Sequence, residues 1–253
     1  MVGIAKPFRR TCRPGVDGKC PDDTRESYIA DQRYACAPEQ YVLAFELIQK
    51  DLLELFDYIE PAHLNRQCYS YRIHELLMRT CVEVEANCKA IMSENGYSPP
   101  PNRNWNRVDY KKLEVTHKLS SYEVKFPRWE GAGGVKIPFA AWGSAGGALR
   151  WYDAYNDTKH DRHKNFEQAN LGNLTDAIAG LVAVLGAQFY THGFSHVTLW
   201  ADDIDEKKRS PFVLAIGDYF LIKFPTNWNP NDCYSFDWKK IENDPDPFGS
   251  LTF

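Results

Sequence analysis

Between Trp151 and Lys164 the chain reads Trp-Tyr-Asp-Ala-Tyr-Asn-Asp-Thr-Lys-His-Asp-Arg-His-Lys, and five of the six residues from Lys159 to Lys164 are basic or histidine. On a helix, Asn156 and His160 lie four apart on one face, His163 follows three further on, and Trp151 and Tyr155 line an adjacent face. Histidine moves a proton near neutral pH, and nearby cations stabilise a charged phosphorane. The set therefore suits general acid–base work on a phosphodiester. Blander readings stand beside that one. Lys, Arg and His near a helix C-terminus complement the macrodipole with no functional role. Asp153, Asp157 and Asp161, spaced by four, can pair with those cations on a solvated face. The spacing of His160 and His163 also permits metal ligation with an aspartate, but no third ligand is evident.

The remaining chemistry-bearing residues read as structural. Gly131, Gly133, Gly134, Gly143, Gly146 and Gly147 form neither a GxGxxG nor a Walker pattern, so no phosphate cradle is expected from them. None of the seven cysteines forms a CxxC pair. Cys12, Cys20 and Cys36 are too far apart for an ordinary zinc knuckle, and Cys81 and Cys88 read as buried thiols on an apolar helix face. Glu83 and Glu85 fit a helix salt-bridge network better than an acidic site. His74 and His117 are isolated. Trp105, Trp129 and Trp142 either pack a loop onto the core or form a ligand platform. Neither a metal nor a cofactor is expected.

These residues need elements to hold them. With 253 residues, 43% hydrophobic and 25% charged, the chain has material for a real core. A net charge of −4 argues against nucleic-acid binding by bulk charge but leaves room for a local basic site. Apolar spacing predicts helices near 41–59, 69–95, 149–164 and 174–189, the last the most buried, capped by Asn173 or Thr175. Glu75, Arg79 and Glu83 should form a ladder on the second helix. A short helix is expected over 109–119, and strands at 122–126, 135–141, 196–200 and 212–224, the last broken into a hairpin at Gly217-Asp218. The fold expected is mainly α, a four-helix bundle with a small β insert and a C-terminal β appendage. Residues 1–37 form an arm with little structure of its own, 38–195 the helical domain with its insert at 97–148, and 196–253 the β segment and tail. No secretion signal or membrane span is read, and a cytoplasmic location is the simplest expectation.

Two stretches carry a family resemblance. Tyr71–Lys89 resembles the second helix of the HEPN superfamily, helical bundles of phage-defence, toxin–antitoxin and RNA-processing systems. Tyr155-Asn-Asp-Thr-Lys-His160, followed by the apolar helix after it, resembles the family's active-site helix and its successor. The run is also similar to proteins of bacteria and mobile elements with a YNxxKHDR signature. The resemblance covers about residues 38–190. It implies a metal-independent RNA endonuclease in which the ribose 2′-OH attacks the adjacent phosphate and two protomers share one cleft. His160 would be the acid or base, and Asn156 would orient it or the phosphate. Lys159 and Arg162 would neutralise charge, with His163 beside them, and Tyr155 would stack on a base or bond a phosphate oxygen. Tyr155 occupies the family's arginine position, so the alternative is a degenerate module that binds RNA, a nucleotide or a protein partner encoded nearby without cutting. A homodimer is expected in either case.

Overall fold

The computed structural model describes residues 8–16, 29, 31–194, 210–234 and 243–253. It is mainly α. Helix α1 runs Pro38–Phe56 and α2 runs Tyr71–Glu94. The short α3 and α4 cover Arg107–Lys111 and Leu113–His117, α5 covers Arg150–His160, α6 covers Arg162–Asn165, and α7 covers Leu171–Phe189. Helix α2 packs against α1, α5 and α7, and α5 also packs on α7.

The physical causes are local. Pro38 sits in the first turn of α1, where its missing N–H costs nothing, so the helix starts earlier than its apolar stripe. The Ser70 hydroxyl caps α2 by accepting from Ile73 N at 3.2 Å. Helix α7 is buried at every position except Asn173 and Asp176. By length and composition it could cross a membrane, but 89% of it is buried inside this fold, as in the core helix of a globular domain. Its cap is Asn170 rather than Asn173 or Thr175: Asn170 Oδ1 accepts from Asn173 N at 3.0 Å, while the Thr175 hydroxyl donates back to Leu171 O.

Several expectations are corrected. The single short helix over 109–119 is two, α3 and α4. The ladder from Glu75 through Arg79 to Glu83 does not form, because Arg79 reaches across to Asp51 of α1. Strand 135–141 shrinks to β2, Val135–Lys136, since Pro138 offers no N–H and a 3-10 turn begins at Ala140.

The insert and the appendage are not separate. Strands β1 (Glu123–Lys125), β2, β3 (Val213–Leu214) and β4 (Leu221–Lys223) make one antiparallel sheet of order β2-β1-β4-β3. Val124 faces Ile222 on one side and Lys136 on the other. A strand pair too short to bury itself thus completes a sheet against α7. The approach is close: a Cβ on Gly186 would sit 2.7 Å from Ile222 Cδ1. Expected strand 196–200 lies outside the described residues.

The described residues of the arm, 8–16, 29 and 31–37, form no helix or sheet strand but are part of the core. Phe8, Arg10, Thr11, Cys12 and Arg13 are buried, and Cys12 N donates to Ala187 O of α7 at 2.8 Å. The tail is anchored as well, through buried Tyr234, Phe248 and Leu251.

Candidate functional site

The predicted helix 149–164 is interrupted. Helix α5 ends at His160, and Asp161 (φ −143°, ψ 71°) leaves helical geometry and starts α6 by accepting from Lys164 N at 3.3 Å. Asn165 Nδ2 donates to the Asp161 carbonyl at 3.1 Å and so holds the break. An aspartate suits a cap better than a helix interior. His163 consequently sits on a different helix from Asn156 and His160, and the single face expected to carry all three does not exist.

The two ends of the motif differ in access. Tyr155 is only 1% exposed, which removes its ring as a stacking surface for a base. Its hydroxyl accepts from Lys159 Nζ at 3.0 Å, and the ammonium lies 5.0 Å from the ring centre. Burial pushes the Tyr155 phenol above its ordinary pKa, and the bond to Tyr155 raises that of Lys159, so the pair holds as neutral phenol and ammonium. The Asn156 amide donates to Tyr152 O of its own helix at 3.1 Å and is half-buried. His160, Arg162, His163 and Lys164 are exposed. Among the described residues, the His160 imidazole is not hydrogen-bonded to the Asn156 side chain, whose amide is turned to Tyr152 O, or to any other group.

What the α5–α6 corner brings together instead is aromatic. Phe166, just beyond α6, lies 4.7 Å from Tyr71 and 5.5 Å from Tyr69, ring centre to ring centre, with His74 at 6.0 Å. The Arg162 guanidinium lies 5.6 Å over the Tyr71 ring. Tyr69 and Tyr71 are 52% and 67% exposed, so part of each side chain is within reach of a ligand. Burial lowers the pKa of His74, and the positive charge of Arg162 lowers it further, so His74 is neutral at pH 7. The segments are held together by backbone: Leu171 N donates to Cys68 O at 2.8 Å and Gly172 N to Arg66 O at 2.9 Å. Sequence reasoning missed this shelf. Its signal is that Tyr69 and Tyr71 fall outside the apolar stripe opened by Ile73 and are therefore aromatics the core does not claim.

The other candidates are absorbed by the fold. Glu85 accepts from the Tyr152 hydroxyl at 2.8 Å and pairs with Lys89. Cys81 and Cys88 are fully buried, and burial pushes both thiols up. Trp142 packs on Phe139, and Trp105 stacks on Tyr110. Among the described residues no three His, Cys, Asp or Glu side chains gather as a metal-binding group. No family model, curated protein or solved structure matches this chain.

Proposed function

We propose that this chain is a HEPN-like helical module that binds single-stranded RNA at the α5–α6 corner. The observation that carries this reading is the exposed Arg162–Tyr71 pair beside Tyr69 and Phe166, in a run that also presents His160, His163 and Lys164. Open aromatic faces stack bases, and adjacent cations meet the backbone phosphates. A chain of net charge −4 has to bind through such a local patch, not through its overall field. On this reading α1, α2, α5 and α7, which pack on one another through α2 and α7, would take the places of the four bundle helices. A homodimer would set two such corners into one cleft, and a protein partner encoded nearby is the competing occupant.

One feature favours a second reading, that of a metal-independent endonuclease: His160 stands exposed one helical turn beyond Asn156. His160 would then serve as acid or base, with Lys159 and Arg162 neutralising charge. Tyr155 has no direct part, because its hydroxyl is committed to Lys159 inside the core.

The test is anisotropy with a labelled single-stranded RNA, followed by gel analysis of the same samples. Binding should weaken as salt rises, and Tyr71→Ala should cost ~1–3 kcal/mol, the value of one stacked base. RNA that binds wild type and Tyr71→Ala equally, or binds neither, refutes the proposal. Cleavage that survives EDTA, spares DNA and falls ~10²–10⁴-fold in His160→Ala would establish the second reading.

A further inference from the structure

The start of α5, about 16 Å from its His160 end, borders a different cavity. It measures about 340 Å³, within the range of small-ligand sites, and lies between β2, the glycine-rich loop and α7. Three cationic side chains line it, Arg66, Lys136 and Arg150, against one carboxylate, Asp176.

The sheet register explains the least expected of these. Lys136 pairs with Val124, which pairs with Ile222, so the lysine shares the inward-facing row of the sheet. Its side chain is 5% exposed, and its ammonium donates to Asp176 Oδ1 at 2.7 Å and lies 4.8 Å from the Trp129 ring centre. A buried ammonium needs such a partner. Asp176 is one of the two α7 positions left outside the core, which makes it available to the lysine. That one carboxylate also serves Arg66, at 3.8 Å. Arg66 Nε is buried with no hydrogen-bond partner, and the Arg150 side chain is exposed at the rim. The lining thus keeps an excess of two positive charges.

The backbone adds to this. Leu149, the N-cap of α5, offers no side-chain cap, so the first amides of the helix are not satisfied from within it. The loop before it is pinned, because a Cβ on Gly147 would sit 1.6 Å from the Ala141 carbonyl oxygen. Side-chain charge and an uncapped helix start both border one cavity.

We propose that this cavity is an anion subsite that takes a phosphoryl group, either inorganic phosphate or the phosphate of a nucleotide monoester. It is separate from the α5–α6 corner and does not depend on the RNA reading. Calorimetry on the full chain with sodium phosphate, adenosine 5′-monophosphate and adenosine tests it. Either phosphate probe should bind saturably and adenosine should not. Tighter binding of the monophosphate than of phosphate identifies a nucleotide as the source, and equal affinity identifies the free anion. Arg150→Glu reverses a charge at an exposed first-turn position that tolerates an acid, and should weaken binding at least about tenfold. Arg66→Gln should do the same, and it decides the matter if the first variant does not fold. Arg162→Ala should leave this binding unchanged. Absence of binding up to about 10 mM, equal binding of adenosine, or affinity unaltered by the Arg150 and Arg66 changes would overturn the proposal.

Discussion

Arg10 and Arg162 both lie over tyrosine rings, and their surroundings are opposite. Arg10, 2% exposed, stacks 4.7 Å over Tyr41 and spends its N–H groups inside the protein. Nε donates to Glu94 at 2.5 Å, Nη1 to Gln188 at 2.8 Å and Nη2 to the Cys36 carbonyl at 2.8 Å. Gln188 passes the network on to Asn87. Arg162 is exposed over an exposed ring, and among the described residues it has no hydrogen bond or ion pair. A guanidinium whose three nitrogens are each bonded inside the core belongs to the fold, because burial keeps it from any ligand. An exposed one without such bonds, on an exposed aromatic shelf, can still bond a ligand.

The sharpest way to break the comparison is to remove Arg10. Arg10→Leu leaves Glu94 and Gln188 without their partner and should cost about 3–5 kcal/mol in urea unfolding. A loss below 1 kcal/mol would mean that the arm does not hold α2 to α7 as described.

The next effect belongs to His117 in the same buried region. Its Nε2 lies 2.9 Å from the Arg10 carbonyl and 3.0 Å from the Thr11 hydroxyl, and its Nδ1 lies 2.8 Å from the Thr116 hydroxyl, so both ring nitrogens have partners inside the protein. Burial lowers its pKa to about 4. The unfolded chain therefore binds this proton more readily than the folded one. The stabilisation is complete above the unfolded pKa of about 6.5 and is lost as pH falls toward 4, by up to ~3 kcal/mol. Unfolding curves across that interval measure it, and His117→Gln should flatten the dependence. An unchanged slope in the variant would assign the effect elsewhere.

At the α5–α6 corner the effects move from stability to binding. Arg162→Ala should shift stability by no more than about 0.5 kcal/mol while weakening RNA binding roughly tenfold. If it instead destabilises as Arg10→Leu does, the contrast between the regions fails. The smallest effect is that of Lys159→Gln. It removes a half-exposed bond to Tyr155 and should change stability by about 0–1 kcal/mol, measured by the same unfolding curves.

The helices were legible because their apolar spacing repeats. Ile73, Leu76, Leu77, Cys81, Val84, Cys88 and Ile91 mark the buried face of α2 directly, and the run 171–189 is apolar nearly all round. The break at Asp161 was not legible: the sequence offers Asp161 as a partner for the nearby cations, and its role as the α6 cap appears only in the fold. Nor was the arm. Its Arg, Pro and Gly content reads as solvated chain, and nothing local shows that Arg10 meets Glu94, 84 residues away.

The candidate site divides along the same line. Composition alone marks 159–164 as a basic run, since charge and helix spacing are local properties. Whether each member of the motif faces solvent was settled by packing: Tyr155 turned into the core, and Arg162 came to rest on Tyr71. The same holds for Lys136, whose burial follows from pairing with Val124 and from Asp176 being placed opposite by α7. Periodicity fixes which face of an element is apolar. Partners that are distant in sequence meet only when the chain has closed its core, so the pairing of charges and the openness of aromatic faces were decided by the tertiary structure.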